Sequence, residues 1–242
     1  MIRIIYYIIL AYFFLGAVGF IFINRKKERT VARNNWVKFL TYFIIINIVF
    51  FCIVLGPVFF RSVAIIIIIS GCLELSRLYV KSGHFHRQVF YFSLLIFLII
   101  SAGFFVFSGM EKELVLYVFL ILSIFDSFSQ ISGQLWGKRK LMPTISPNKT
   151  WGGLAGGTLI ALISGLLLKN LLYISSIEAI ALTVNIILSA FVGDMASSFY
   201  KRQYKVKDFS NLIPGHGGFL DRFDSLIASG AWIALLRFFA DL

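Results

Sequence analysis

Apolar residues run along this chain in long stretches, broken by short loops that are polar and mostly basic. A run of roughly 18 or more apolar residues is long enough to cross the hydrocarbon core of a bilayer as a helix. The pattern predicts eight such spans, over residues 4–23, 39–56, 62–80, 89–107, 113–131, 152–169, 177–199 and 223–239, with Pro57 interrupting the end of the second. The first span has Arg3 ahead of its apolar run. It is too long for a signal-peptide core and lacks a small-x-small cleavage site, so it reads as a retained helix. The expected fold class is all-α, a polytopic integral membrane protein with about eight transmembrane helices. No internal repeat and no Pro/Ser-rich linker divides it. We read one membrane domain over 1–242, with scaffold helices in 1–110 and the chemistry-bearing helices and loops in 111–242.

Composition agrees with the pattern. Hydrophobic residues make up 59% of the chain, mean hydropathy is +0.89, and charged residues are 14%, against about 25% in soluble domains. The net charge of +12 would suit nucleic acid, but its distribution argues for topology instead. The loops after spans one, three, five and seven, with their flanks, hold 18 of the 23 Lys and Arg residues. The opposite side keeps Arg3, Arg61, Lys112, Lys169 and Arg237. Positive residues favour the cytoplasmic side, so the basic loops are expected there and both termini outside. The basic run from Asn24 to Arg33 could bind anionic lipid head groups but reads first as a simple positive-inside anchor. Cys52 and Cys72 lie inside apolar spans and form neither a disulfide framework nor a zinc pattern. His84 and His86 read as solvated loop residues, since no third ligand stands nearby.

Ionisable groups inside membrane segments are costly and therefore informative. Glu74 and Arg77, three apart on one helical face, are expected to pair with each other. Asp126, Ser129 and Gln130 make one face of span five wet. Asp194, Ser197 and Ser198 do the same near the end of span seven. Gly152, Gly153, Gly156 and Gly157 open span six in Gly-x-x-x-Gly registers, which predict a close helix–helix approach. The densest polar chemistry follows in 198–224, where Lys201, Arg202, Lys205, Lys207 and Arg222 alternate with Asp208, Asp221 and Asp224 around Pro214-Gly215-His216-Gly217-Gly218.

The loops after spans five and seven share a side. Their residues can therefore bring Asp126, Asp194, Asp221 and Asp224 together with Lys138, Lys149, Lys201, Arg202, Lys207 and Arg222. Carboxylates gathered in a basic pocket repel one another unless a hard cation joins them. Mg²⁺ suits such a place because it shares its shell with substrate phosphates, and a second cation could stabilise an in-line displacement at phosphorus. The Lys and Arg side chains would bind the remaining phosphate charge. Gly217 and Gly218 would let backbone amides approach phosphate oxygens. His216 reads equally as a donor to pyrophosphate or as a structural loop residue.

The stretch 198–224 resembles the signature of the phosphatidate cytidylyltransferase (CDP-diglyceride synthase) family. Ser198, Lys201-Arg202, Lys207-Asp208, Ser210, Ile213, Pro214, His216-Gly217-Gly218 and Asp221-Arg222-Phe223-Asp224 all fall at that family's spacing. The loop Gly137-Lys138-Arg139-Lys140-Leu141 and the run Ile145-Ser146-Pro147-Asn148-Lys149-Thr150-Trp151 resemble it too. Tyr200 departs from the usual aliphatic residue or Phe, and Gly152-Gly153 stands where the family usually has Glu-Gly. The likeness covers roughly residues 120–226.

The resemblance implies a CTP-dependent nucleotidyltransferase of phospholipid biosynthesis, making CDP-diacylglycerol and pyrophosphate from CTP and phosphatidate. It also implies Asp194, Asp221 and Asp224 as metal ligands, to which the convergence adds Asp126. Lys207 joins the three aspartates as a catalytic candidate. The substrate-binding candidates are Ser198, Lys138, Lys149, Lys201, Arg202, His216, Gly217, Gly218 and Arg222. Membrane lipids and a second copy of the chain, as a homodimer, are the expected partners, and nucleic acid is not. The expected setting is a bacterial inner membrane with the active site at the cytoplasmic face. The rival readings are a CTP-dependent transferase for an isoprenoid or ether lipid, a membrane transporter, and a non-enzymatic scaffold.

Overall fold

The computed structural model describes residues 2–25, 27–213 and 217–240. Its α-helices are α1 (Ile2–Asn24), α2 (Arg29–Leu55), α3 (Pro57–Lys81), α4 (Arg87–Phe107), α5 (Lys112–Trp136), α6 (Trp151–Leu168), α7 (Ser176–Gln203) and α8 (Leu220–Ala240). A short antiparallel hairpin, β1 (Lys140–Met142) and β2 (Ser146–Thr150), stands between α5 and α6. Seven of these helices, α1 to α7, are long and apolar enough to cross a membrane. The protein is therefore an all-α polytopic integral membrane protein, with one small hairpin that the hydropathy pattern did not predict.

Each predicted span has a helix, but among the described residues α8, the helix of the eighth, does not reach the apolarity of the other seven, and the remaining differences lie at the ends. The largest is in α2, which begins at Arg29 rather than near residue 39. Its first turns carry Arg33, Asn34, Asn35 and Lys38, a polar stretch that interrupts hydropathy without breaking a helix. Gly56, at φ +134, separates α2 from α3, and Pro57 occupies the first turn of α3, where its missing N–H costs nothing.

Helix α5 is the centre. In its spanning window 61% of residues are buried, against 17–33% in the other six. Large apolar side chains elsewhere face outward, such as Phe14, Ile66, Phe92 and Leu167, as expected for lipid contact. Helix α6 packs closest on α5, and glycine is why. A Cβ at Gly157 would collide with the Ser129 hydroxyl and approach Phe125 O at 2.8 Å, and one at Gly153 would lie 2.6 Å from Ser129 O. Deeper in the bundle, Tyr117 Oη and Thr183 Oγ1 share a 2.9 Å hydrogen bond between α5 and α7.

Long-range polar contacts fix which helix ends meet. Arg202 near the end of α7 donates to Ile145 O in the hairpin turn, and Glu74 near the end of α3 accepts from the start of α8. Thr150 caps α6 by accepting from Gly153 N. Hence the C-terminal ends of α3, α5 and α7 and the N-terminal ends of α6 and α8 gather at one end of the bundle. At the other end Arg237 of α8 bonds Glu111 before α5.

Candidate active site

The first turn of α8 is where the polar residues of the bundle meet. Lys201 and Asp221 form a buried ion pair at 2.6 Å, with side chains 8% and 2% exposed. Asp221 Oδ2 also accepts from Phe209 N and Gly218 N, each at 2.8 Å. One carboxylate thus joins α7, the loop after it and the entry to α8. Gly217, at φ +84, pairs with Ile213 across that loop; a side chain there would be strained. Pro214, Gly215 and His216 lie outside the described residues, so the expectation for His216 has no structural counterpart.

A second group of carboxylates is arranged differently. Asp194 on α7 forms an ion pair with Lys149 of β2 and accepts from Ser198 Oγ at 3.3 Å. Asp224, one turn into α8, uses Oδ1 to accept from Ser225 N at 2.7 Å. Its Oδ2 is buried and makes no hydrogen bond of standard geometry, nor does Ser197 Oγ, although that hydroxyl interacts with the Asp224 carboxylate. Asp126 of α5 lies within electrostatic reach of Lys149, Asp194, Asp224 and Arg222. Buried polar atoms are nearly always satisfied, so an orphaned carboxylate oxygen asks for an explanation.

That oxygen bears on whether a cation fits. Among the described residues no group of three or more His, Cys, Asp or Glu side chains is spaced to hold a metal ion. Asp221 has both oxygens engaged by Lys201 and two amides. Asp224 fits as a donor, with one hard oxygen that makes no hydrogen bond of standard geometry, and Asp194 fits beside it because its partners, Lys149 and Ser198, are side chains that a cation could replace, whereas Asp221 is also tied to two backbone amides. Few carboxylates plus substrate phosphates is the coordination Mg²⁺ prefers.

The basic candidates divide in the same way. Lys201 is sequestered on Asp221. Arg202 spends Nε on Ile145 O at 2.9 Å and Nη1 on Val206 O at 3.0 Å, and so braces the hairpin turn against the loop after α7. Lys138, Lys207 and Arg222 are exposed, and among the described residues none of them forms an ion pair. Lys149 is half-buried and also lies 5.0 Å over the Phe191 ring. Gly152 packs against the end of α5, where a Cβ would sit 3.1 Å from Trp136 O.

One expectation needs correction. Glu74 pairs with the α8 entry, not with Arg77. It is 3% exposed, and it accepts from Ser210 Oγ at 2.6 Å, Phe219 N at 3.0 Å and Leu220 N at 2.8 Å. Helix periodicity reveals a neighbour at i+3 but not a partner about 140 residues away. The sequence signal that could have found it is the presence of a lone carboxylate in an apolar helix. Arg77 instead lines a cavity of about 330 Å³ with Lys81, Tyr204, Asp208, Phe209 and Asn211.

Fold and site together define a polytopic membrane protein with a polar centre of carboxylates, lysines and arginines at one end of the bundle, suited to phosphates. The chain belongs to the cytidylyltransferase family, whose model matches residues 3–240. It is 33% identical over 209 residues to a phosphatidate cytidylyltransferase of Staphylococcus epidermidis, covering 82% of this chain and 80% of that protein. It is 41% identical over 132 residues to the enzyme of that name from Haemophilus influenzae, covering 52% and 46%. With the one from Staphylococcus aureus it shares 41% over 133 residues, covering 53% and 51%. The chain thus spans about half the length of the latter two relatives and four fifths of the first.

Proposed function

We propose that this chain is a phosphatidate cytidylyltransferase, transferring the cytidylyl group of CTP to phosphatidate. A phosphate oxygen of the lipid attacks the α-phosphorus of CTP, the bond from that phosphorus to the bridging oxygen breaks, and pyrophosphate leaves. The nucleophile is already anionic at neutral pH, so no protein base is required. What the reaction needs is positioning and charge compensation.

The observation that carries the reading is the meeting of Asp126, Asp194 and Asp224 with Lys149 and Arg222 at one bundle end, with Asp224 Oδ2 making no hydrogen bond of standard geometry. A divalent cation, Mg²⁺ in this reading, would be held by Asp194 and Asp224 and would neutralise triphosphate charge. Lys149 exchanges Asp194 for a phosphate oxygen when substrate arrives. Lys138, Lys207 and Arg222, exposed at the same end, bind the remaining phosphate charge. Ser198 orients Asp194. Lys201, Asp221, Gly217 and Gly218 hold the loop that frames the site, and Arg202 holds the hairpin beside it.

The basic loops then face the cytoplasm, where CTP is found, and the lipid reaches the site from the membrane. A bacterial inner membrane, a second cation and a homodimer belong to the same reading. The test is to supply purified protein in detergent with phosphatidate, Mg²⁺ and CTP labelled in the cytidine ring. Label in the organic-extractable lipid that EDTA abolishes supports the reading. Label appearing only with an isoprenoid or ether-lipid phosphate replaces the acceptor, and no label with any of them overturns the reading.

A further inference from the structure

We propose that Glu74, in the N-terminal half of the chain, is a positioning residue for the transfer reaction, acting through the first turn of α8. The inference rests on the reading of this end of the bundle as a cytidylyltransferase site. Glu74 belongs to α3, one of the scaffold helices, and is buried without an ion pair among the described residues. A buried carboxylate persists only when its oxygens are satisfied. Here the donors are Ser210 Oγ and the backbone N–H groups of Phe219 and Leu220.

Those two amides are orphan donors at a helix start, and the N-terminal end of a helix favours negative charge. Helices usually obtain such a cap from a nearby residue. This one obtains it from another helix. The consequence is a rigid tie between α3 and the segment that carries Asp221 and Asp224.

The neighbourhood is built around the tie. Gly218 has to be small because a Cβ there would run into both Glu74 oxygens and the carboxyl carbon. Tyr200 of α7 donates to Leu75 O at 3.0 Å, so adjacent residues of α3 hold α7 and α8 together. Asp194 projects from α7 and Asp224 from α8. Their separation is therefore governed in part by α3, which carries neither. Glu74 and Asp221 grip the α8 entry together: Glu74 holds Phe219 and Leu220, and Asp221 reaches back to Gly218. With one of the two removed, the turn keeps an anchor, so the chain folds but the register of Asp224 against Asp194 loosens.

The experiment compares the full chain with Glu74→Gln, Ser210→Ala and the double variant, all purified in detergent. Glu74→Gln keeps the shape and one acceptor but turns an amide N–H₂ toward backbone donors. Three quantities are read: steady-state transfer with titrated CTP, phosphatidate and Mg²⁺; Mn²⁺ binding by EPR without substrate; and amide exchange over 217–224. The expected result for Glu74→Gln is a kcat roughly 10–100-fold lower per folded molecule with the KM for phosphatidate unchanged. Mn²⁺ binding weakens, and exchange rises at 217–224 but not in α5. Ser210→Ala shows a smaller version, and the double variant adds little to Glu74→Gln, because the two side chains act as a unit.

Unchanged kcat, Mn²⁺ binding and exchange in folded Glu74→Gln overturn the proposal. So does an activity loss matched by the loss of folded protein, which marks a purely structural group. If the unaltered chain transfers no label at all, the functional reading fails. The EPR and exchange comparison then still decides whether Glu74 sets the carboxylate geometry.

Discussion

Two groups of carboxylates meet at the first turns of α8, and they are finished to different degrees. Glu74 and Asp221 are closed: every carboxylate oxygen has a donor, three backbone amides of 218–220 are consumed, and Lys201 neutralises one of the charges. Asp194 and Asp224 are more open, with no backbone donor from the α8 entry and a less buried ion pair. Asp224 Oδ2 makes no hydrogen bond of standard geometry, with the Ser197 hydroxyl beside that carboxylate. Among the described residues Asp194 is held only by two side chains, Lys149 of the hairpin and Ser198, with the ion pair 31% and 26% exposed. A buried charge whose hydrogen bonds are complete stabilises one conformation. A buried charge with an unused oxygen is poised for something that arrives later. The closed pair is therefore read as framework and the open pair as the reacting centre, although Asp221 and Asp224 stand three residues apart on one helix and Glu74 bonds its first residue.

Substitutions can break that contrast. The largest separation of activity from stability is expected at Asp224→Asn and Asp194→Asn. Losing a ligand for bound metal removes several kcal/mol of charge stabilisation, a fall of roughly 10³-fold or more in transfer rate. The thermal midpoint in detergent should stay near that of the unaltered chain. Asp221→Asn should do the reverse in emphasis. It strands the Lys201 ammonium in a buried place, at a cost of about 3–5 kcal/mol, so the protein should melt earlier. Asp221→Asn combined with Lys201→Met should recover part of that loss in the same melting assay, because no unpaired charge remains.

Smaller effects sharpen the picture. Lys149→Met should raise the KM for CTP by roughly 10–100-fold, the loss of one or two charge-assisted contacts, and should be read in a CTP titration at saturating lipid. Arg202→Lys keeps the charge but cannot brace Ile145 O and Val206 O together. Its effect should appear as faster proteolysis of the hairpin, with turnover within a few-fold. Thr150→Ala removes the cap of α6 and should cost about 1 kcal/mol of stability, measured by thermal unfolding.

Hydropathy was enough to locate the helices because lipid leaves little choice: a spanning segment must be apolar and must satisfy its own backbone. It was poor at ends, as α2 demonstrates, because Arg33, Asn34, Asn35 and Lys38 continue a helix that has already left the apolar layer. The glycines of α6 were legible as packing surface since only a missing Cβ allows the approach to Ser129 and Gly133. The hairpin of residues 140–150 was not legible. Its strands are short, with Pro147 inside the second and Pro143 in the turn, and its shape comes from contacts with Arg202 and the α5 terminus.

The aspartates of the polar centre could be read from their cost in an apolar setting, and shared sidedness of alternate loops brought α5, α7 and α8 to one end. Which carboxylate has a free oxygen could not be read. Asp221 and Asp224 are three apart and look alike in sequence. Only the backbone around Phe209 and Gly218 makes them different. Glu74 was misassigned for the same reason, since its partners lie on the far side of the chain.

The most direct measurement of the central claim is label transfer from cytidine-labelled CTP into phosphatidate by Asp224→Asn, set beside the unaltered chain at equal amounts of folded protein with Mg²⁺ present. The account predicts EDTA-sensitive labelling of lipid by the unaltered chain and essentially none by Asp224→Asn at the same melting temperature. Labelling by folded Asp224→Asn at the unaltered rate would contradict it.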